Sequence, residues 1–284
     1  MHFGRASAAV ASASNKMPNT MRLPAILLLF AASLLLAQSP QPAALPAAND
    51  ANAKKARALI DQMIDALGGQ AYLNYQDVYQ EGRSHRFYEG RPQGVGGPFF
   101  RYWRWPDKER TEYFAQRDWV VIYSGDQGYD TTFRGTRLVD PEDLAAHLHR
   151  RDHSLETVLR AWLKEPGTAL FYEGSALADQ KPAEKVSIVN SKNDSVTLYI
   201  DAYTHLPVKK TYLVRDPVSR ERDQEGELFD HYRLVQGIMT PFNIVRYHNG
   251  EMTRQLFMNK VQYNLGASDA LFTPPPLHYD RTKK

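Results

Sequence analysis

The sequence of 284 residues contains no cysteine. This absence excludes disulfide bonds, thiol catalysis and cysteine-ligated metal sites. An exported protein of this composition must be held together by its core alone, and that situation fits a bacterial periplasm better than an animal extracellular space.

A basic excess is also lacking once the N-terminal segment is set aside. The whole chain has 35 Lys and Arg against 32 Asp and Glu, a formal net charge of +3. Residues 1–39 contain Arg5, Lys16 and Arg22 and no acidic residue, so the rest of the chain has 32 basic and 32 acidic residues. Binding to nucleic acid without sequence preference needs a basic excess that releases counterions. We therefore expect no nucleic-acid partner.

Long hydrophobic runs are scarce, and the one that stands out is "LPAILLLFAASLLLA". It follows a lightly basic start, is short for a membrane span and precedes small residues, a pattern typical of a signal peptide. We predict a signal peptide over 1–39, with its start at Met1, Met17 or Met21. A Pro/Ala-rich linker over 40–52 and a single domain over 53–284 follow. The expected location is periplasmic, and the alternative is an N-terminal membrane anchor.

Catalytic motifs are missing as well. The sequence has no Gly-x-Ser-x-Gly or His-Glu-x-x-His, and "GRPQGVGG" lacks the Lys-Ser/Thr of a phosphate loop. His149 and His153 lie four residues apart and could share a helical face as metal ligands. Asp152 to Ser154 also caps the next helix, which would break that face. We expect no enzyme activity, no cofactor and no metal site.

The residues that are present show two periodicities. Ala56, Leu59, Ile60, Met63, Ile64 and Leu67 recur at helical spacing before Gly68 and Gly69, and two further helices are predicted at 141–151 and 154–165. Elsewhere a period of two predicts strands at 77–88, 98–105, 109–115, 118–123, 128–133, 168–173, 185–190, 195–201, 207–215, 226–235, 240–248 and 251–263. Short turns such as "HNGE" at 248–251 indicate antiparallel pairing.

The stretch "FFRYWRWPDKER", residues 99–110, decides the predicted architecture. Alternation along a strand places Phe99, Arg101 and Trp103 on one face, and Phe100 and Tyr102 on the other. Because both faces are bulky, each needs a cover. We predict an α+β fold in which a strongly bent antiparallel sheet forms an open (half) β-barrel. About three helices would act as a lid over the concave face, above an apolar hollow.

Three turns in the second half of the chain carry a family resemblance. They are the Asp201, Thr204, Leu206, Pro207 hairpin, the turn from Tyr232 to Pro241, and the closing stretch from Asn264 to Phe272. Together they resemble the LolA-like outer-membrane lipoprotein-sorting proteins. The resemblance implies a half-open barrel whose helical lid covers a hydrophobic cavity for acyl chains. It also implies an arginine on an early strand that controls the lid.

The resemblance leads to a set of candidate site residues. Residues expected to line the ligand cavity are Phe100, Tyr102, Trp103, Trp105, Val121, Phe171, Leu256 and Met258. Arg101 and Arg104 are the candidates for lid control. The expected partners are acyl chains of lipoproteins or lipids, with an inner-membrane donor protein and an outer-membrane acceptor protein.

Two other functions stay open at this point. A periplasmic glycan-binding or hydrolytic protein could use Trp103 and Trp105 as stacking platforms beside the carboxylates of Asp107 and Glu109. A structural interaction domain in an envelope complex is the third possibility.

Overall fold

The computed structural model describes residues 50–215, 220–280 and 282. The predicted signal peptide and most of the predicted linker lie outside the described residues. The described helices are α1 (Asp50–Leu67), α2 (Gln70–Asn74), α3 (Pro141–Asp152) and α4 (Leu155–Arg160). Two short 3₁₀ turns cover Trp162–Lys164 and Asp269–Phe272.

The described strands fall into two groups along the chain. The first group is β1 (Asp77–Tyr88), β2 (Arg91–Pro92), β3 (Gly97–Arg104), β4 (Lys108–Tyr113), β5 (Trp119–Ser124), β6 (Gln127–Thr132) and β7 (Gly135–Leu138). The second group is β8 (Ala169–Ala178), β9 (Lys181–Val189), β10 (Ser195–Asp201), β11 (Pro207–Arg215), β12 (Arg222–Val235), β13 (Ile238–His248), β14 (Glu251–Tyr263) and β15 (His278–Tyr279).

Strand β1 joins the two groups into one antiparallel sheet of 15 strands. On one side of β1 the order is β3, β4, β5, β6, β7 and β15. On the other side it is β14, β13, β12, β11, β10, β9 and β8, while β2 pairs only with β1. The sheet is not closed, because β15 and β8 are its two edges. The predicted α+β open half-barrel is therefore confirmed.

Helices α3 and α4 occupy the connection between β7 near one edge and β8 at the other. A chain that passes between opposite edges of a bent sheet must cross one of its faces. Buried Leu155, Val158 and Leu159 of α4 join the main core, so the helical crossing covers the concave face. Helix α1 packs on β8, β9 and β13 through the predicted stripe, in which Ile60 and Met63 are fully buried.

The end of α1 approaches the β12–β13 turn closely. Gly68 has φ +123°, and a Cβ atom there would lie 2.3 Å from the carbonyl oxygen of Gly237. Any other residue at this position would force the helix away from the sheet. This glycine therefore ends the helix and also permits the close packing of α1.

The opposite, convex face is covered by the C-terminal segment, an arrangement that was not predicted. The 3₁₀ turn at Asp269–Phe272 lies against β4 and β5, and Phe272 is buried. Arg104 donates to the carbonyl oxygen of Ala267 at 2.8 Å, and Arg110 donates to that of Leu271 at 3.3 Å. The arginines of the aromatic stretch thus attach the C-terminal segment to the sheet.

Most predicted strands agree with the structure, and β1, β10, β11 and β14 match the predicted bounds. Strands β2, β7 and β15 were missed, because they have only two to four residues and a period of two cannot be detected over so short a length. Among the described residues, no helix has the length and apolar character needed to cross a bilayer.

Candidate functional site

A cavity of about 180 Å³ lies between the concave face of the sheet and helices α2, α3 and α4. Its lining has an aromatic half and a polar half. The aromatic half includes Leu67, Tyr72, Tyr75, Val78, Trp103, Leu155, Phe229, Tyr232, Met239, Ile244 and Tyr263. The polar half includes Gln80, Arg101, Glu109, His147, Arg150, Glu227 and Arg246.

Tyr75 is the centre of the aromatic half. Its ring centroid lies 4.8 Å from that of Tyr263, 5.7 Å from that of Trp103 and 6.0 Å from that of Tyr72. Tilted and edge-on contacts at these distances are the favoured arrangements of aromatic pairs. The four rings come from α2, the α2–β1 connection, β3 and β14, so they join three parts of the chain around one wall of the cavity.

Helix α4 is attached to this wall by a buried arginine. The guanidinium of Arg160 donates to the carbonyl oxygens of Tyr75, at 2.7 Å, and of Tyr72. It also lies over the ring of Tyr75, 4.0 Å from the ring centroid. The Tyr75 hydroxyl in turn donates to Glu156 Oε1 at 2.8 Å. These bonds hold α4 in its closed position.

Helix α3 closes the other part of the cavity. The imidazole of His147 stacks on the ring of Tyr123 in β5, with 3.5 Å between the ring centroids. Arg151 donates to the carbonyl oxygen of Gly125 at 2.6 Å and to Asp126 Oδ1 at 3.1 Å. We call α3 and α4 together the lid.

The polar half contains a buried ion-pair network on β11, β12 and β13. Glu227 lies 2.8 Å from Lys210 Nζ and 3.0 Å from Arg246 Nε. Lys210 is only 1% exposed. Burial alone would raise the pKa of Glu227, but Lys210 and Arg246 outweigh it and hold that pKa well below its usual range. The carboxylate of Glu227 is therefore ionised at neutral pH, between two cations.

Two further titratable groups face the same space. Burial opposes ionisation of Glu109, but Arg101, and after it His147 and Arg246, lower its pKa. Burial lowers the pKa of His147 to about 4, against the raising effect of Glu109. At neutral pH, Glu109 is thus a carboxylate and His147 an uncharged imidazole.

The structure separates the predicted site residues. Trp103 and Arg101 line the cavity. Phe100 and Tyr102 lie on the opposite face of β3, where Arg117 sits 3.7 Å over the Phe100 ring and Tyr102 packs on Tyr79 at 4.8 Å. That Phe100 and Tyr102 contact a ligand stays a prediction. Among the described residues of β3, the two that line the cavity, Arg101 and Trp103, are on the other, concave face.

The remaining candidates do not line the cavity. Trp105 follows β3 and lies 6.2 Å from Trp103, ring to ring. Val121 pairs with Thr111, which in turn pairs with Arg101. Val121 is therefore on the same face of the sheet as Arg101, two strands away. Leu256 and Met258 are buried in the main core. Phe171 alternates with the core residues Leu170 and Tyr172 and so points away from them.

The two lid-control candidates contact different parts of the protein. Arg101 donates from Nη2 to Gln80 Oε1 inside the cavity. Arg104 contacts the C-terminal segment, including Asp269, on the convex side. In the described part of the chain, the arginines that hold the lid are Arg151 and Arg160, which are on the lid itself.

The cavity also differs from the apolar hollow that was expected. The missed residues are Lys210, Glu227, Arg246, His147 and Arg150. A signal was present, since Lys210 alternates with Val208 and Tyr212, all three of which are buried. A lysine within a buried face needs a counter-charge, and Glu227 and Phe229 show the same alternation on the next strand.

Comparisons with known proteins place the fold. No protein-family model matches the chain, and no curated protein matches it. Among solved structures, a DUF1329 family protein from Desulfovibrio piger aligns with a TM-score of 0.52 and 14% identity, covering 77% of this chain and 97% of that one.

Two further solved structures align with the chain. An outer membrane lipoprotein-sorting protein domain from Vibrio parahaemolyticus aligns with a TM-score of 0.50 and 8% identity, covering 78% of this chain and 97% of that one. A LolA superfamily protein from Nitrosomonas europaea aligns with a TM-score of 0.47 and 10% identity, covering 77% and 97%. The chain described here shares its fold with the DUF1329 family protein and with the outer membrane lipoprotein-sorting protein domain.

Proposed function

We propose that the protein is a non-enzymatic periplasmic carrier that binds the acyl chains of a lipid or lipoprotein beneath its lid. The observation that carries this proposal is the aromatic wall of Tyr72, Tyr75, Trp103 and Tyr263, which faces an interior space roofed by two helices. Burial of apolar surface contributes about 0.8 kcal/mol per methylene. Such a wall can therefore bind a chain without hydrogen bonds that specify it.

The size of the cavity argues that binding is coupled to lid movement. Its volume of about 180 Å³ is below the roughly 300–1,000 Å³ of typical small-molecule pockets. An acyl chain would enter only when α3 and α4 move away from the sheet. The lid is attached to the rest of the protein by side-chain contacts, namely the His147–Tyr123 stack, the hydrogen bonds of Arg151 and Arg160 and the apolar packing of α4. It can therefore leave without unpairing any strand.

The fold supports the same proposal. A structure described as an outer membrane lipoprotein-sorting protein domain shares the fold over 78% of this chain. Transfer between an inner-membrane donor and an outer-membrane acceptor would follow, with release triggered by opening of the lid.

The test is to analyse what the protein carries. The full chain is expressed with its own N-terminal segment, purified without detergent, and extracted with organic solvent for mass spectrometry. We expect a lipid or an acylated protein at close to one per chain. A protein that is empty, and that binds an oligosaccharide but no acyl ligand, would contradict the carrier proposal and favour the glycan-binding alternative.

A further inference from the structure

The polar half of the cavity contains more cations than its acids neutralise. The charged residues of the lining are Arg101, Lys108, Arg150, Arg151 and Arg246 together with Asp107, Glu109, Glu156 and Glu227. Lys210 lies behind Glu227, and Arg254 is directly opposite Arg246 in the β13–β14 pairing. At the lining itself five cations thus face four carboxylates, with His147 uncharged at neutral pH. Buried charge without a partner is costly, so the site favours an added anion.

Several of these cations have N–H groups that donate no hydrogen bond within the described residues. The Nε of Arg101 is buried and has no hydrogen-bond partner among the described residues. Arg150 forms neither a hydrogen bond nor an ion pair with any residue that the structure describes, although it lines the cavity. Arg246 meets Glu227 through its Nε. Planar guanidinium groups with free N–H donors match the oxygens of phosphate and carboxylate.

The pKa values of two of these arginines, Arg150 and Arg254, are lowered. Burial lowers the pKa of Arg150, and the neighbouring Arg246 lowers it further. Burial lowers the pKa of Arg254 to about 10, and Arg246 again adds to the effect. Burial is the main cause of both shifts, whereas at Arg246 the charges of Glu227 and Glu109 outweigh burial and raise the pKa. Arg150 is thus a buried cation whose charge the surrounding carboxylates do not fully compensate.

We propose that the polar half of the cavity binds a phosphate or carboxylate group between Arg150 of the lid and Arg101 and Arg246 of the sheet. This inference rests on the proposed carrier function, because the anion would be the head group of the carried molecule, with its chain along the aromatic wall. Since Arg150 belongs to α3 and the other two belong to the sheet, the bound anion would also hold the lid closed.

The experiment is calorimetric titration of the delipidated protein with three probes. They are a short-chain phosphatidic acid, the phosphatidylcholine of the same chain length, and inorganic phosphate, all below the critical micelle concentrations of the two lipids. We expect phosphatidic acid to bind at least tenfold more tightly than phosphatidylcholine. Arg150→Gln should remove that preference, and Arg150→Lys should keep part of it.

Arg57→Gln is the matched control. It removes the same charge from the outer surface of α1, where Arg57 pairs with Asp61 at 3.0 Å and is half exposed. The preference for phosphatidic acid should survive this change. If Arg57→Gln reduces the preference as much as Arg150→Gln does, the attraction comes from overall charge and the proposed site is wrong.

The three probes separate this inference from the carrier proposal. Equal affinity for the two lipids, unchanged in Arg150→Gln, would overturn the anion site and leave the carrier proposal standing. Inorganic phosphate that binds as tightly as phosphatidic acid, and that is lost in Arg150→Gln, would support the anion site and contradict a role for the acyl chain.

Discussion

The imidazole of His147 on the lid stacks on the phenol ring of Tyr123 on the sheet, with ring centroids 3.5 Å apart and an angle of 4° between the planes. Burial lowers the pKa of His147 from 6.5 to about 4. The closed structure therefore contains the neutral imidazole. Protonation would place a new cation beside Arg150 and Arg246, within a region that already has an excess of positive charge.

The first prediction concerns pH. Between pH 6.5 and about 4, His147 is protonated in the unfolded chain but not in the closed fold, so stability falls as pH falls through this window. The shift corresponds to a loss of at most about 3 kcal/mol in the free energy of unfolding, fully expressed below pH 4. Urea unfolding as a function of pH measures this quantity.

His147→Phe supplies the control for the pH prediction, because it keeps the aromatic stack and removes the titration. The unfolding free energy of the wild type should rise relative to that of the variant as pH increases from 4 to 6.5. Above pH 6.5 the difference between the two should be constant. A difference that does not vary with pH would show that His147 titrates normally in the folded protein.

The second prediction concerns the buried ion pairs. Glu227→Gln leaves Lys210 and Arg246 without their shared counter-charge, so we expect a loss of about 3–5 kcal/mol in the free energy of unfolding. Asp61→Asn, which breaks the exposed pair with Arg57 on α1, should cost less than about 1 kcal/mol. Chemical denaturation of both variants measures the two losses. If Glu227→Gln costs as little as Asp61→Asn, water screens the charges of Glu227, Lys210 and Arg246.

The third prediction concerns the attachment of α4. Arg160→Met removes the donor for two carbonyl oxygens, those of Tyr72 and Tyr75. Leaving buried acceptors unpaired should destabilise this attachment by about 2–4 kcal/mol. Hydrogen exchange should then speed up in α2 and α4 before it does so in β12 or β13. Faster exchange spread evenly over the sheet would contradict a local role for Arg160.

The fourth prediction uses Trp103 as a reporter. Of the four tryptophans in the chain, Trp103 lines the cavity, so an acyl ligand should shield it from acrylamide quenching. In Trp103→Phe the ligand should no longer change the quenching. Trp119→Phe, whose indole donates to Asp130 Oδ1 at 2.7 Å away from the cavity lining, should keep the change. Loss of the change in Trp119→Phe alone would place the ligand elsewhere.

The strands and the first helix could be predicted because local chemistry determines them. Asn249-Gly250 forms the β13–β14 turn, and the apolar stripe of α1 packs as its spacing indicates. Because both faces of β3 carry bulky side chains, we predicted that another part of the chain covers each face, and this is confirmed. The lid covers one face, and Arg104 and Arg110 hold the C-terminal segment over the other.

The charged half of the cavity was harder to foresee. Glu227, Arg246 and Lys210 come from three strands. The alternation of Lys210 with Val208 and Tyr212 indicates a buried charge but not the residues that neutralise it. Pairing register brings them together, since Lys210 lies opposite Glu227, and Glu227 lies opposite Arg246. A single sequence indicates the periodicity of a strand but not which other strand pairs with it. The contribution of His147 and Arg150 depends in addition on where the lid crosses the sheet.

The central claim is that an acyl chain lies along the aromatic wall beneath the lid. A phospholipid with a diazirine at the end of its acyl chain, activated by light after binding, tests it when the cross-linked residues are identified by mass spectrometry. The account predicts adducts on Trp103, Tyr263 or Leu155. Adducts on Phe100 or Tyr102, on the opposite face of the same sheet, would contradict it.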